Sequence, residues 1–161
     1  MIVVDPPPPV EAAGSSLLFS RDFYELAKQH LNTNGIVQMW FPGDADVLTT
    51  QAVLRSFNES FPYIRCFPSV EGWGLHLLGS MQPIPRLTAK QLVAGMPVAA
   101  QNDLLEWTQP KDAVAYISQV IDHEYSITGA LNPDPGVEVT DDQPYNEYFL
   151  LRWLKNKPAT P

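Results

Sequence analysis

The stretch IVVDPPPPVEAAGSSLLFSRDFYELAKQHLNTNGIVQMWF, residues 2–41, decides the fold of this 161-residue chain. Its first three residues are apolar without polar alternation, which is typical of a strand buried on both faces of a parallel sheet. Ser20 can cap a helix that begins near Arg21, because apolar residues then recur at helical spacing. Residues 36–41, IVQMWF, form the next strand-like run. The order strand, helix, strand predicts a βαβ unit with parallel strands.

The residues after this unit predict a second helix and two more strands. The helix runs from about Asp46 to Asn58, and the strands cover residues 63–67 and 72–80. The join between those strands, PSVEG, is short and favours an antiparallel pair, because a parallel connection needs a dozen or more residues. The side chains expected to face the core are Phe23, Leu26, Ala27 and Leu31 in the first helix, and Leu48, Ala52, Val53 and Phe57 in the second.

The second half of the chain is predicted to be helical. Thr88 and Gln91 have the spacing of a capping box, and Pro97, Pro110 and Pro144 suit the starts of three further helices. Asp141 and Asp142 precede the last of these and are expected near its positive end. We therefore divide the chain into residues 1–82, part of a doubly wound α/β sheet, and residues 83–161, a helical extension.

Composition restricts the partners and the compartment. The formal net charge is −8, and between Asp103 and Glu147 ten acidic residues accompany one basic residue, Lys111. Such a surface repels phosphate backbones, so we expect no nucleic-acid partner. Cys66 is the only cysteine, which excludes an internal disulfide and a cysteine-based zinc site. We expect no metal site and a cytoplasmic location.

Three stretches together resemble a known enzyme family. They are VVDPPPPVEAAGSSLLFSRDFYELAKQHLNTNGIV at residues 3–37, RCFPSVEGWGLHLLGS at 65–80 and TDDQPYNEYFL at 140–150. In their order and spacing they resemble the spermidine synthase-like (polyamine aminopropyltransferase) family. This resemblance implies a class I methyltransferase-like, Rossmann-like fold, of which the chain holds the C-terminal portion. The sheet would then combine parallel strands with an antiparallel terminal pair.

The resemblance also implies a reaction and a set of site residues. Members of the family transfer an aminopropyl group from decarboxylated S-adenosylmethionine to an amine, a step of polyamine biosynthesis. Ligands of open α/β sheets bind beyond the carboxyl ends of the strands, where Asp5 would hold the cationic amine and accept its proton as the catalytic residue. The resemblance assigns Gln38, Trp40, Glu71 and Trp73 to the substrate, and Pro6 and Pro7 to the cofactor.

Two departures from the family pattern change the expectation for this chain. Pro8 stands where the family has a second carboxylate. No G-x-G-x-x-G loop occurs, although such a loop normally holds the cofactor of a Rossmann-like fold. We therefore expect the chain to be part of an S-adenosyl-dependent transferase, inactive by itself and without a bound cofactor. Relatives with the T-D-D-x-P ending can be fused to membrane segments, and the intact protein can share that feature.

Two other functions stay open. DPPP resembles the Asp-Pro-Pro-Tyr motif of amino-methyltransferases, which predicts an S-adenosylmethionine-dependent methyltransferase acting on an unknown acceptor. Alternatively, the chain is a non-catalytic interaction domain. In the complete fold that the resemblance implies, the strand at residues 2–5 would lie mid-sheet, whereas in this chain it would be an edge with unpaired backbone groups. This predicts either a homo-oligomer formed through that edge or a helical extension that folds back to cover it.

Overall fold

The computed structural model describes residues 1–6, 9–43, 45–70, 72–108, 111–131 and 136–156. These residues form a mixed α/β structure with a four-stranded sheet and eight α-helices. The strands are β1 (Ile2–Val4), β2 (Ile36–Phe41), β3 (Tyr63–Pro68) and β4 (Leu75–Ser80). The helices are α1 (Ser16–Phe19), α2 (Arg21–Gln29), α3 (Val47–Ser60), α4 (Ala89–Ala94), α5 (Val98–Leu105), α6 (Ala113–Asp122), α7 (Ile127–Ala130) and α8 (Phe149–Asn156), with a 3-10 turn at Tyr145–Tyr148 before α8.

The sheet has the strand order β1-β2-β4-β3. β1 and β2 are parallel, with Val3 level with Gln38. β4 lies antiparallel between β2 and β3, so β2 and β3 run in the same direction. The predicted combination of parallel strands with an antiparallel terminal pair is therefore confirmed. β1 occupies one edge of the sheet, while the predicted self-association through that edge stays a prediction.

One face of the sheet carries the hydrophobic core. Alternate residues of all four strands point to this face, as the two-residue period of a strand requires, and α2 and α3 cover it. The apolar strand residues that are buried on this face are Val4, Val37, Met39, Phe41, Cys66 and Leu77. Burial raises the pKa of the Cys66 thiol to about 12, with a smaller contribution from Glu124. Cys66 is therefore a core residue and not a nucleophile.

The helices that cover this face begin where the sequence predicts. The Ser20 hydroxyl accepts a hydrogen bond from the Phe23 N–H at the start of α2, and Asp46 caps α3. Leu26 and Leu48, however, are exposed, so their predicted inward orientation is wrong. Tyr24 is buried instead, because its ring packs edge-on against two aromatic rings of the α3 region that only the tertiary structure brings to it.

The second half of the chain returns to the same core through residues 136–147. Val139 is fully buried, and its N–H donates a hydrogen bond of 2.6 Å to the Ser56 hydroxyl. Asp141 accepts a hydrogen bond from Ser20 at the cap of α2. The predicted place of Asp141 at the start of the last helix is therefore wrong. The 3-10 turn before α8 begins later, at Tyr145, and leaves Asp141 beside α2.

A second attachment joins the helical half to β3. Glu124 accepts two hydrogen bonds from Arg65, at 3.1 and 3.0 Å. It also pairs with Arg86, at 2.6 Å. Hydrogen bonds from Arg65 hold the pKa of the Glu124 carboxyl below its ordinary value of 4.5, although partial burial acts in the opposite direction. Glu124 therefore fixes the segment after α6 to the sheet.

Glu124→Gln is expected to lower the free energy of unfolding by about 1.5–3 kcal/mol at neutral pH, because hydrogen bonds to charged groups contribute roughly this much. The folded state lowers the pKa of this group, so its stabilisation is present above pH 4.5 and is lost as the pH falls through the folded-state pKa. Urea unfolding at neutral pH and at several values below 4.5 tests this. Glu106→Gln, at an exposed position, is the charge-matched control. A difference between wild type and Glu124→Gln that persists in acid would contradict the prediction.

The opposite face of the sheet is less covered. Helix α6 packs at its β3 end, where Tyr116 and Phe67 border a cleft of about 470 Å³. Val3, at the β1 end, is 60% exposed, so the predicted burial of the first strand on both faces is wrong. Residues 2–4 are all apolar, so the sequence indicates a strand covered on both faces. The helix that covers this second face of the sheet lies at the β3 edge and does not reach β1. No helix in the described part of the chain is long and apolar enough to cross a membrane.

Candidate functional site

Asp5 lies directly after β1, at the carboxyl end of the strand, and is exposed. β1 pairs with β2 through Val4 and Met39, so one step further along the chain Asp5 is level with Trp40. Pro6 follows Asp5 and is buried. The other predicted cofactor residue, Pro7, and the predicted substrate residue Glu71 lie outside the described residues.

Trp40 and Trp73 form an aromatic pair close to this strand end. Their ring centroids are 5.0 Å apart and the rings are nearly perpendicular, at 87°. Trp73 comes from the loop between β3 and β4 and is 55% exposed. Gly74 makes the close approach possible, since a β-carbon at this position would lie 2.6 Å from Nε1 of Trp40. The structure therefore brings together two residues that the sequence predicts for substrate binding.

Gln38 belongs to a chain of polar side chains that ends at Trp40. The Gln38 amide nitrogen is 3.2 Å from Nδ1 of His76, and Nε2 of His76 is 3.1 Å from the Ser69 hydroxyl. The Trp40 indole N–H donates a longer hydrogen bond, 3.4 Å, to the same hydroxyl. We name Gln38, His76, Ser69 and Trp40 the polar relay.

The sequence interpretation missed Ser69 and His76. His76 alternates with apolar neighbours in LHLLGS, and this spacing indicates only that it shares a strand face with Leu78. The antiparallel register places His76 opposite both Trp40 and Phe67. That register is a property of the assembled sheet, so the sequence holds no direct signal for the relay.

The direction of the hydrogen bonds in the relay restricts its chemistry. With the Gln38 amide nitrogen turned toward His76, Gln38 donates, Nδ1 of His76 accepts, and the tautomer that fits this arrangement carries its proton on Nε2. The ring then donates to Ser69 instead of accepting from it. His76 therefore does not act as a base toward Ser69, and the arrangement does not support a serine nucleophile.

Asp5 and the aromatic pair supply the groups that attract a cation. A carboxylate at the protein surface pairs with a positive charge, and the faces of tryptophan rings attract cations through their quadrupole. Among the described residues, no three His, Cys, Asp or Glu side chains come close enough together to hold a metal ion. A carboxylate and an aromatic face are both groups that bind organic cations.

The loop that follows Asp5 is fixed by the second half of the chain. Asn146 is fully buried, and its amide donates hydrogen bonds to the Val10 carbonyl at 2.6 Å and the Ser15 hydroxyl at 2.8 Å. Glu147 accepts a hydrogen bond from the Ser16 N–H at 3.0 Å. Burial acts to raise the pKa of Glu147, but hydrogen bonds from Ser16 lower it on balance. The sequence interpretation also missed these two residues.

The comparison with known proteins adds no relative. No protein-family model matches the chain. A search of curated proteins also returned no significant match. The geometry of the site therefore carries the functional argument, and the likeness to the spermidine synthase-like family stays a prediction from the motifs.

Proposed function

We propose that this chain carries the amine-binding part of a spermidine synthase-like transferase with a Rossmann-like fold. The observation that carries the proposal is the position of Asp5 directly after β1, whose last residue Val4 pairs with Met39, the residue before Trp40 of the aromatic pair. In this site Asp5 binds a cationic amine and the tryptophan rings contact its methylene groups. The parallel β1 and β2 and the antiparallel last pair support the Rossmann-like part of the proposal.

The carboxylate of Asp5 suits the proton chemistry of such a transfer. An amine nitrogen attacks carbon only through its lone pair, so it must first be neutral, and it must lose a proton when the new C–N bond has formed. A carboxylate beside the nitrogen can hold the protonated amine and receive the departing proton. In the family that the sequence resembles, decarboxylated S-adenosylmethionine supplies the aminopropyl group, and methylthioadenosine leaves as the C–S bond breaks.

The residues of this chain do not fit that donor molecule. The sequence has no G-x-G-x-x-G loop to bring backbone N–H groups to a cofactor. We therefore assign only amine binding and proton transfer to the described residues. The 161-residue chain alone is expected neither to bind S-adenosyl compounds tightly nor to transfer an aminopropyl group.

The composition of the strand end also indicates which amines bind. Asp5 supplies one carboxylate, and Pro8 stands at the position that a second would occupy. A diamine would therefore be held at one end only. We expect a monoamine such as butylamine to bind nearly as tightly as the diamine 1,4-diaminobutane, because Asp5 is the one carboxylate among the described residues that we assign to the amine.

Asp5→Asn is expected to weaken butylamine binding by about tenfold or more, because it removes the charge that pairs with the ammonium group. The measurement is a titration of the ¹⁵N-labelled chain with each amine, followed through the indole N–H signals of Trp40 and Trp73. Trp40→Phe and Trp73→Phe assign these signals.

Glu11→Gln is the matched control, because it removes one negative charge from the same loop without changing Asp5. It should bind butylamine as the wild-type chain does. Equal affinity of Asp5→Asn and wild type would exclude the proposed role of Asp5, and the absence of any saturable shift would exclude the amine site itself. Micromolar binding of methylthioadenosine, measured by calorimetry, would contradict the expectation that this chain does not bind S-adenosyl compounds tightly.

A further inference from the structure

We infer that His76 is a positioning residue, which acts through Ser69 to hold the Trp40 ring in the orientation that the bound amine meets. The inference concerns the same strand end and rests on the proposed function for the identity of the ligand. The orientation of the ring can be measured without any ligand.

The His76 ring lies between two polar side chains. Its two nitrogens each have a partner, with the Gln38 amide at 3.2 Å and the Ser69 hydroxyl at 3.1 Å. Gln38 and His76 come from neighbouring antiparallel strands, whereas Ser69 follows β3. The ring is therefore held from both sides, and it connects β2 with the start of the loop that carries Trp73.

The Ser69 hydroxyl oxygen lies within hydrogen-bond distance of both His76 and Trp40. His76 donates from Nε2 and Trp40 donates from Nε1, so both lone pairs of the oxygen accept a hydrogen bond. Ser69 is itself buried, and its N–H donates a 3.0 Å hydrogen bond to the Gly74 carbonyl. The oxygen that anchors the indole is thus fixed by the backbone and by the imidazole together.

The Trp40 ring is less enclosed than a core residue, so a hydrogen bond from its indole N–H matters for its orientation. Trp40 points to the less covered face of the sheet, and its aromatic partner Trp73 is more than half exposed. Packing restrains a ring on such a face less than it restrains a core residue. A directional hydrogen bond to the indole N–H compensates for this, because it fixes the rotation of the ring about its bond to the backbone. The relay thus adds to the packing of Trp40 against Gly74 and Trp73 as a restraint on the ring.

The consequence for the ligand follows from the geometry of cation–π contacts. A cation is attracted to the face of an indole and not to its edge. An ammonium group held by Asp5 gains this attraction only while the Trp40 face keeps its direction. Loss of His76 should therefore weaken amine binding although His76 itself does not touch the amine.

The experiment compares three variants by NMR in the absence of ligand. In His76→Leu and Ser69→Ala the indole N–H signal of Trp40 should shift toward that of the exposed Trp107 and exchange faster with solvent. His76→Gln should restore the wild-type signal, because its terminal amide can donate to Ser69 as Nε2 does. The Trp107 signal should stay unchanged in every variant. An unchanged Trp40 signal in His76→Leu would overturn the inference.

The same variants are then titrated with butylamine. We expect affinity to fall about fivefold in His76→Leu and in Ser69→Ala, with no further loss in the double variant, because residues of one hydrogen-bonded network are not additive. His76→Gln should recover most of the affinity. A shifted Trp40 signal with unchanged affinity would exclude the positioning role, and so would a loss that His76→Gln does not restore.

The two parts of the experiment separate this inference from the proposed function. If butylamine fails to bind any variant, the proposed amine site is wrong, and the positioning of Trp40 is decided by the ligand-free spectra alone. If butylamine binds and depends on Asp5 but not on His76, the proposed function stands and the inference fails.

Discussion

Phe57→Ala is expected to lower the free energy of unfolding by about 3–5 kcal/mol, the cost of removing a large aromatic side chain from a packed core. Phe57 is fully buried on α3. Its ring contacts Tyr24 at 5.2 Å and Phe61 at 5.0 Å between centroids. Those two rings also contact each other, at 5.8 Å. Alanine would leave a cavity at the centre of this group, because its neighbours are held by α2, α3 and β4.

The reason for a large effect is the fit between Phe57 and β4. A β-carbon at Gly79 would lie 2.9 Å from the tip of the Phe57 ring and 2.5 Å from the Phe61 ring. The helix therefore approaches the strand as closely as glycine allows, and little movement is available to close a cavity. Total stabilities of proteins are only about 5–15 kcal/mol, so this single change removes a large share.

Urea unfolding of Phe57→Ala and Phe57→Leu measures the effect. Phe57→Leu should lose clearly less than Phe57→Ala, because it keeps most of the buried volume. Leu48→Ala, on the same helix but 53% exposed, should change stability by less than about 0.5 kcal/mol. The indole signals of Trp40 and Trp73 should stay unchanged in folded Phe57→Ala, since these rings lie on the other face of the sheet. A loss below about 1 kcal/mol would show that the core repacks freely.

Gly74→Ala is expected to lower the free energy of unfolding by about 2–4 kcal/mol, because it combines backbone strain with overpacking. It should also separate the rings of Trp40 and Trp73. Gly74 has a φ of +82°, which L-residues adopt only with strain. The added methyl group would also lie 2.6 Å from Nε1 of Trp40 and 3.0 Å from the carbonyl oxygen of Phe41. The Phe41 carbonyl oxygen is part of the backbone and cannot move easily, so the Trp40 ring should be displaced instead.

Gly72→Ala is a closely matched control for this prediction. Gly72 lies in the same loop with a φ of +84°, but no atom lies within 4 Å of its added β-carbon. It should therefore show only the strain of the left-handed conformation, about 1–2 kcal/mol, and a normal Trp40 signal. The difference between the two variants measures the steric contact alone. Equal losses and equal spectra would mean that Gly74 does not shape the aromatic pair.

Local signals in the sequence predicted the elements well. Residues 36–41 form β2 as predicted, and Thr88 and Gln91 form the predicted capping box. Such signals depend on a few neighbouring residues and are independent of the rest of the fold. The predicted inward positions of Leu26 and Leu48 failed for the opposite reason. Which side of a helix is buried depends on how the helix is rotated against its neighbours. In this fold Tyr24 packs against Phe57, and this contact turns Tyr24 inward.

In the candidate site, too, some residues could be selected from the sequence and others only from the tertiary structure. Asp5 was selected from its place at a predicted strand end, and the two tryptophans were selected from the family resemblance. Ser69 and His76 could not be selected in this way, because their partners depend on the register of β4 against two strands. Asn146 and Glu147 contact the loop after Asp5 across more than 130 residues of sequence. Contacts over such a distance leave no local pattern.

The sequence by itself therefore determined the order of the four strands and of the helices other than the short α1 and α7, and the position of Asp5 at a strand end. Capping side chains, apolar periodicity and loop length act within a few residues, so they can be recognised before the chain has folded. Only the tertiary structure decided that β4 enters between β2 and β3, and that one face of the sheet stays less covered. These features depend on hydrogen bonds and packing between distant segments, and the same contacts bring His76 and Ser69 to Trp40.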